Sequence, residues 1–105
     1  MAQLDVYPNP DRETAVLIPY VLDIQSDLLG ALPTVAVIPL VAPAAAELLP
    51  ILRLNPKLMV EQQALLALTQ DIASIPRRLL ARPIANLSPQ RAEILAALDF
   101  LFTGF

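Results

Sequence analysis

The chain has 105 residues, 56% of them hydrophobic and 16% charged, with Lys+Arg 7 against Asp+Glu 10 for a net charge of −3. This is one domain with enough apolar surface to offset its ordering entropy, which excludes disorder. With Cys 0 and His 0, disulfides, thiolate nucleophiles, imidazole bases and metal ligands, and every Ser-His-Asp or Cys-His arrangement are excluded as well.

In chain order, residues 4–7 read as a short strand, and Pro8-Asn9-Pro10-Asp11 is a turn signal. Residues 15–24 are rich in branched and aromatic side chains and read as the return strand, with Pro19 confining it to an edge or bulge. Residues 28–46 carry no charge and have the length of a membrane span. Pro33, Pro39 and Pro43 lie inside that stretch, and each would remove a helical hydrogen bond and clash with the preceding turn. A turn over 30–34 and a buried strand over 35–41 fit better, Pro39 again requiring an edge or bulge. The Ala-rich stretch 43–47 suits a helical turn. Residues 48–54 and 58–68 flank Asn55-Pro56-Lys57 and read as the two arms of a hairpin, although 61–68 also suits a helix.

The last segment has the clearest pattern. Ser88 is a good N-cap and Pro89 suits the first helical position. Leu87, Arg91, Ile94, Leu95, Leu98, Leu101 and Phe102 recur at helical spacing, and Gly104 stops the helix. The expected fold is α+β and mainly β: one domain over 1–105, a small antiparallel sheet closed or covered by a C-terminal helix.

Catalytic machinery is not visible. Asp23 and Asp27, in Asp-Ile-Gln-Ser-Asp, read as turn formers rather than as a cation site, because a hard cation takes six to eight oxygens. Thr69 and Ser74 carry hydroxyls with no nearby base, and Asp99 reads as part of a solvated helix face. The expectation is a non-enzyme with no metal and no cofactor. Phosphate-backbone binding needs a surplus of Lys and Arg, so DNA is not expected to be bound by this chain alone. Arg77, Arg78 and Arg82 read as a solvated turn. With Gly 2, no Gly-rich loop exists to hold a nucleotide phosphate. The first residues lack the basic and apolar regions of a signal peptide, so a cytoplasmic, membrane-free protein is expected. A domain of this size leaves about a third of its unfolded-chain surface exposed. In so apolar a chain that surface points to a homodimer. Phe100, Phe102 and Phe105 place three of the five aromatics in the last six residues. Phe102 sits at core spacing, whereas Phe105, beyond Gly104, reads either as a contact residue or as a tail folded back.

Several of these pieces together resemble the CcdB family of bacterial toxins. They are Val6-Tyr7, Asp23-Ile24-Gln25-Ser26-Asp27-Leu28-Leu29, Val37-Ile38-Pro39-Leu40, Asp71-Ile72-Ala73-Ser74-Ile75-Pro76, and Asn86-Leu87-Ser88 leading to Phe102-Thr103-Gly104-Phe105. The resemblance implies an SH3-like barrel with a C-terminal helix, dimerising through the sheet and helix ends. It implies a toxin of a type II toxin–antitoxin system that binds the A subunit of DNA gyrase and traps its cleaved-DNA complex. A cognate CcdA-like antitoxin would neutralise it, and DNA would be met only through such a complex. Of the family's gyrase-contacting positions, Leu28 and Leu29 match an aliphatic pair, and Phe102 and Gly104 match the ending aromatic-Trp-Gly-Ile. Phe105 replaces the aliphatic end, and Asp99 stands where Asn is common. Thr103 stands where the family has Trp, two of which sandwich a gyrase arginine.

Overall fold

The computed structural model describes residues 2–45, 51 and 53–104. Alternation builds the longest strand: in Thr34–Val41 (β3), Val35 and Val37 are buried on one face and Ile38 and Leu40 on the other. β1 (Asp5–Pro8) and β2 (Tyr20–Asp23) repeat the pattern, Val6 and Leu22 joining the second face while Tyr7 and Val21 join the first. Both faces of these central strands are therefore covered.

The remaining elements are β4 (Lys57–Val60), β5 (Gln63–Ala67), β6 (Ala73–Pro76), β7 (Ala85–Asn86) and α1 (Arg91–Thr103). The strands pair antiparallel in the order β4-β5-β3-β2-β1-β7, with β6 also on β3. One edge of β3 is shared: Thr34–Val37 pairs with β6, and Leu40 and Val41 pair with β5. That division curls the sheet into a nearly closed barrel with one C-terminal helix, the SH3-like α+β architecture expected. Pro39 sits in this long central strand at the break between its two partners. Its carbonyl accepts from Leu68 N–H at 2.9 Å on that side, and the ladder there asks for no donor from residue 39. The larger core lies between sheet and helix, where Leu22, Ile38, Leu40, Leu58, Leu65 and Ile94 are each at most 1% exposed.

Three sequence expectations change. The return strand expected over 15–24 is confined to Tyr20–Asp23. Ahead of it, Ala15 N–H donates to Asp11 C=O and Ile18 N–H to Thr14 C=O, while Asn9 Nδ2 donates to Thr14 Oγ1 and to Ile18 C=O. These local side-chain bonds outcompete a ladder and leave Val16 and Leu17 facing solvent. The hairpin expected about Asn55-Pro56-Lys57 is displaced. Of its first arm, residues 48–50 and 52 lie outside the described residues, and Leu54 and Asn55 N–H both turn back to Ile51 C=O. Asn55 is buried, donating to Ala67 C=O and to Gln70 Oε1, so it anchors a loop rather than making a turn tip. The actual hairpin is β4–β5, folded inside the expected second arm, which settles 58–68 as strand rather than helix.

Its turn residues, Glu61 and Gln62, have φ of +49° and +71°. Paired positive φ is the I′ signature, usually carried by Asn-Gly. A side chain held there costs about 1–2 kcal/mol. Gln62→Gly is therefore expected to stabilise the fold by about 0.5–1 kcal/mol after the unfolded-state entropy of glycine is subtracted. A denaturant midpoint that stays put or falls would contradict this.

The third change is at the helix start. Ser88 does not cap α1: its N–H donates to Asn86 Oδ1 at 2.9 Å and its hydroxyl donates to the same atom, an Asx-type turn ahead of the helix. Ser88–Gln90 forms a 3-10 turn with Pro89 near its start, and α1 begins at Arg91. Gly104 ends it as expected, in the left-handed region at φ +80°, with its N–H on Phe100 C=O.

Candidate functional site

The residues singled out in the sequence fall on two elements. Asp99, Phe102, Thr103 and Gly104 share the last turn of α1 and its cap, all exposed. Phe102, expected to pack, is 71% exposed, while Ile94 and Ala97 of the same helix are buried. Thr103 Oγ1 donates to Asp99 C=O at 2.6 Å, turning its only polar group back onto the helix. Arg53 lies over the Phe100 ring, its guanidinium carbon 4.7 Å from the centroid, a cation–π contact that nothing in the sequence signalled. Phe105 lies outside the described residues.

Leu28 and Leu29 ride on a 3-10 turn, Asp27–Leu29, which follows β2. Ser26 caps it by accepting Leu28 N–H. Gln25 straps it down: its Oε1 accepts Ala36 N–H and its Nε2 donates to Thr34 C=O, so the turn is held against β3. Leu28, with no core to reach, is 94% exposed, and Leu29 and Leu32 beside it are about half exposed. The structure does not merge this aliphatic turn and the helix end into one element.

The two aspartates of the Asp-Ile-Gln-Ser-Asp stretch serve the backbone separately. Asp23 is buried and accepts Gln25 N–H, whereas Asp27 Oδ1 accepts Gln3 N–H. Burial pushes the Asp23 carboxyl above the usual carboxylate range, against the pull of the Gln25 N–H and of Arg77. Arg77 is a strut, donating from Nε to Leu32 C=O at 3.1 Å, while Arg78 and Arg82 are exposed. The Thr69 hydroxyl is buried and has no hydrogen-bond partner among the described residues. Among the described residues no group of three or more carboxylates could hold a metal, and no helix is long and apolar enough to cross a membrane.

Tyr7, fully buried, donates its hydroxyl to Asp5 Oδ2 at 3.4 Å. Burial first, then the Asp5 and Asp23 carboxylates, push its pKa from 10 to about 12. The folded chain thus keeps a proton that the unfolded chain releases at about 10. Stability is expected to fall as pH rises between those values. Melting curves across that interval should show the loss in the wild type and a flatter profile in Tyr7→Phe; identical profiles would contradict it.

What this arrangement offers is contact: exposed aliphatic and aromatic side chains on a turn and a capped helix end, with an exposed carboxylate on each, Asp27 on the turn and Asp99 on the helix. Comparison with known proteins agrees with the fold. A solved structure described as an endoribonuclease in complex with its cognate antitoxin from Mycobacterial species is similar, with a TM-score of 0.76 at 12% identity over 96% of this chain and 93% of that one. No curated protein matches the sequence. The model of the CcdB protein family matches residues 3–104, nearly the whole length, and the chain belongs to that family.

Proposed function

We propose that this chain is the toxin of a type II toxin–antitoxin system: a cytoplasmic, homodimeric, non-enzymatic inhibitor that binds the A subunit of DNA gyrase and traps its cleaved-DNA complex. A cognate CcdA-like antitoxin would hold it in check. The observation that carries this reading is the family match over 3–104; the exposure of Phe102, Leu28 and Leu29, to which the resemblance gives the role of contacting gyrase, supports it. The antitoxin bound to the structurally similar endoribonuclease supports a partner of that kind here.

One observation favours a second reading, a CcdB-fold interaction module that binds an antitoxin or regulatory partner without poisoning gyrase. Thr103 replaces the tryptophan that would sandwich an arginine, and its hydroxyl is turned back to Asp99 C=O. Expression without an antitoxin separates the two. Growth arrest relieved by surplus gyrase A subunit supports the poison. Harmless expression supports the module, and arrest with messenger RNA cleaved instead would move the target to RNA.

A further inference from the structure

Residues 26–34, which carry the Asp27–Leu29 turn and lead into β3, are exposed without exception, Leu28, Leu29 and Leu32 among them. A loop with no buried anchor ordinarily samples many conformations, because nothing offsets the entropy of fixing it. Here two side chains from outside the loop supply the anchor. Gln25 Nε2 donates to Thr34 C=O at 3.1 Å and to Leu29 C=O at 3.4 Å, while its Oε1 accepts Ala36 N–H at 3.1 Å. Arg77 Nε donates to Leu32 C=O at 3.1 Å, and its guanidinium reaches Thr34 C=O at 3.5 Å. The Arg77 backbone N–H donates to Pro33 C=O at 2.8 Å. Asp27 Oδ1 adds a further tie by accepting Gln3 N–H at 2.7 Å.

These bonds fix the backbone on both sides of the leucines and leave the leucine side chains uncovered. The fold gains little from them, since exposed hydrogen bonds exchange with water at a small net gain. A binding partner gains more, because a loop already fixed loses less freedom on association.

We propose that Gln25 and Arg77 are positioning residues: they hold 26–34 as a preformed platform, so that Leu28, Leu29 and Leu32 meet the gyrase A subunit already in place. The proposal rests on the gyrase reading above. It adds Leu32 to the contact surface and gives Gln25 and Arg77 a role that the resemblance does not assign.

The test uses the full chain and the purified gyrase A subunit. Hydrogen exchange of the free protein should quicken over 26–36 in Gln25→Ala and in Arg77→Ala, with an unchanged far-ultraviolet circular dichroism spectrum. Gln25→Glu keeps the side-chain volume and the acceptor for Ala36 N–H, removes only the donor to Thr34 and Leu29, and should loosen the same segment. Titration calorimetry should give binding about tenfold weaker in each variant. In a Leu28→Ala/Leu29→Ala background, Gln25→Ala should cost at most about twofold, a coupling that a general loss of fold stability does not produce. Variants that bind as tightly as the wild type, unchanged exchange over 26–36, or an equal loss in the leucine-depleted background would each overturn the platform and leave the gyrase reading standing. A wild type that does not bind the A subunit would overturn both.

Discussion

Replacing Thr103 by Trp is expected to tighten binding to the gyrase A subunit by roughly tenfold to a thousandfold. The estimate rests on the arginine that the family's two tryptophans would enclose. One guanidinium on an indole face contributes about 0.5–2 kcal/mol, depending on burial. Two faces, one from each subunit of the proposed dimer, give about 1–4 kcal/mol by the same estimate. The position can take the change. Thr103 is exposed, it is the last residue of α1, and the hydroxyl bond it would lose ends on a C-terminal carbonyl that water can reach. Asp99, also exposed and one turn earlier, attracts a cation in wild type and variant alike, so it does not mask the difference. Titration calorimetry with the purified A subunit reads the effect directly. Equal affinity in both proteins would mean that no arginine docks at the helix end.

Ile94→Ala is expected to cost about 2–5 kcal/mol of stability, whereas Leu95→Ala next to it should cost well under half of that. Ile94 is 1% exposed and belongs to the core that joins Leu22, Ile38, Leu40, Leu58 and Leu65, so its truncation leaves a cavity at the seam between helix and barrel. Leu95 is 38% exposed and can relax into solvent. In a domain of this size the Ile94 loss corresponds to a fall of roughly 10 °C or more in melting temperature. Equal losses at both positions would show that the helix is not seated on the face described.

The same helix shows what a sequence reveals and what it leaves hidden. Periodicity identified α1 and Gly104 identified its end, because both signals are local. Spacing alone placed Leu95 and Phe102 with the buried set. It says which residues share a face, but not how far the sheet beneath extends, and Phe102 is exposed. β3 was legible because its alternating residues are buried on both sides of the strand. Its Pro39 was read as a mark of an edge or a bulge; the structure puts it at the break between β5 and β6, an arrangement set by tertiary pairing.

Elsewhere one local preference prevailed over another. Residues 15–18 are apolar enough for a strand, yet the side chains of Asn9, Asp11 and Thr14 had already bound the backbone into turns. The β4–β5 turn was not readable at all, since Glu61-Gln62 carries none of the Asn or Gly chemistry that marks positive φ. β6 and β7, of four and two residues, are too short for periodicity to register. At the candidate site, residue types and order singled out Leu28, Leu29, Phe102 and Thr103, all of which are exposed. The strap from Gln25 to β3 and the Arg53–Phe100 contact join distant segments, so only the fold reveals them.

The central claim is that this CcdB-family chain poisons gyrase. The most direct measurement is a DNA-cleavage-trapping assay with purified protein, gyrase and ATP, run beside a known gyrase poison as the positive control. The account predicts linearised DNA that accumulates with dose, and more of it at lower dose for Thr103→Trp. Absence of a cleavage complex in wild type and Thr103→Trp alike, with the protein folded and dimeric, would contradict it.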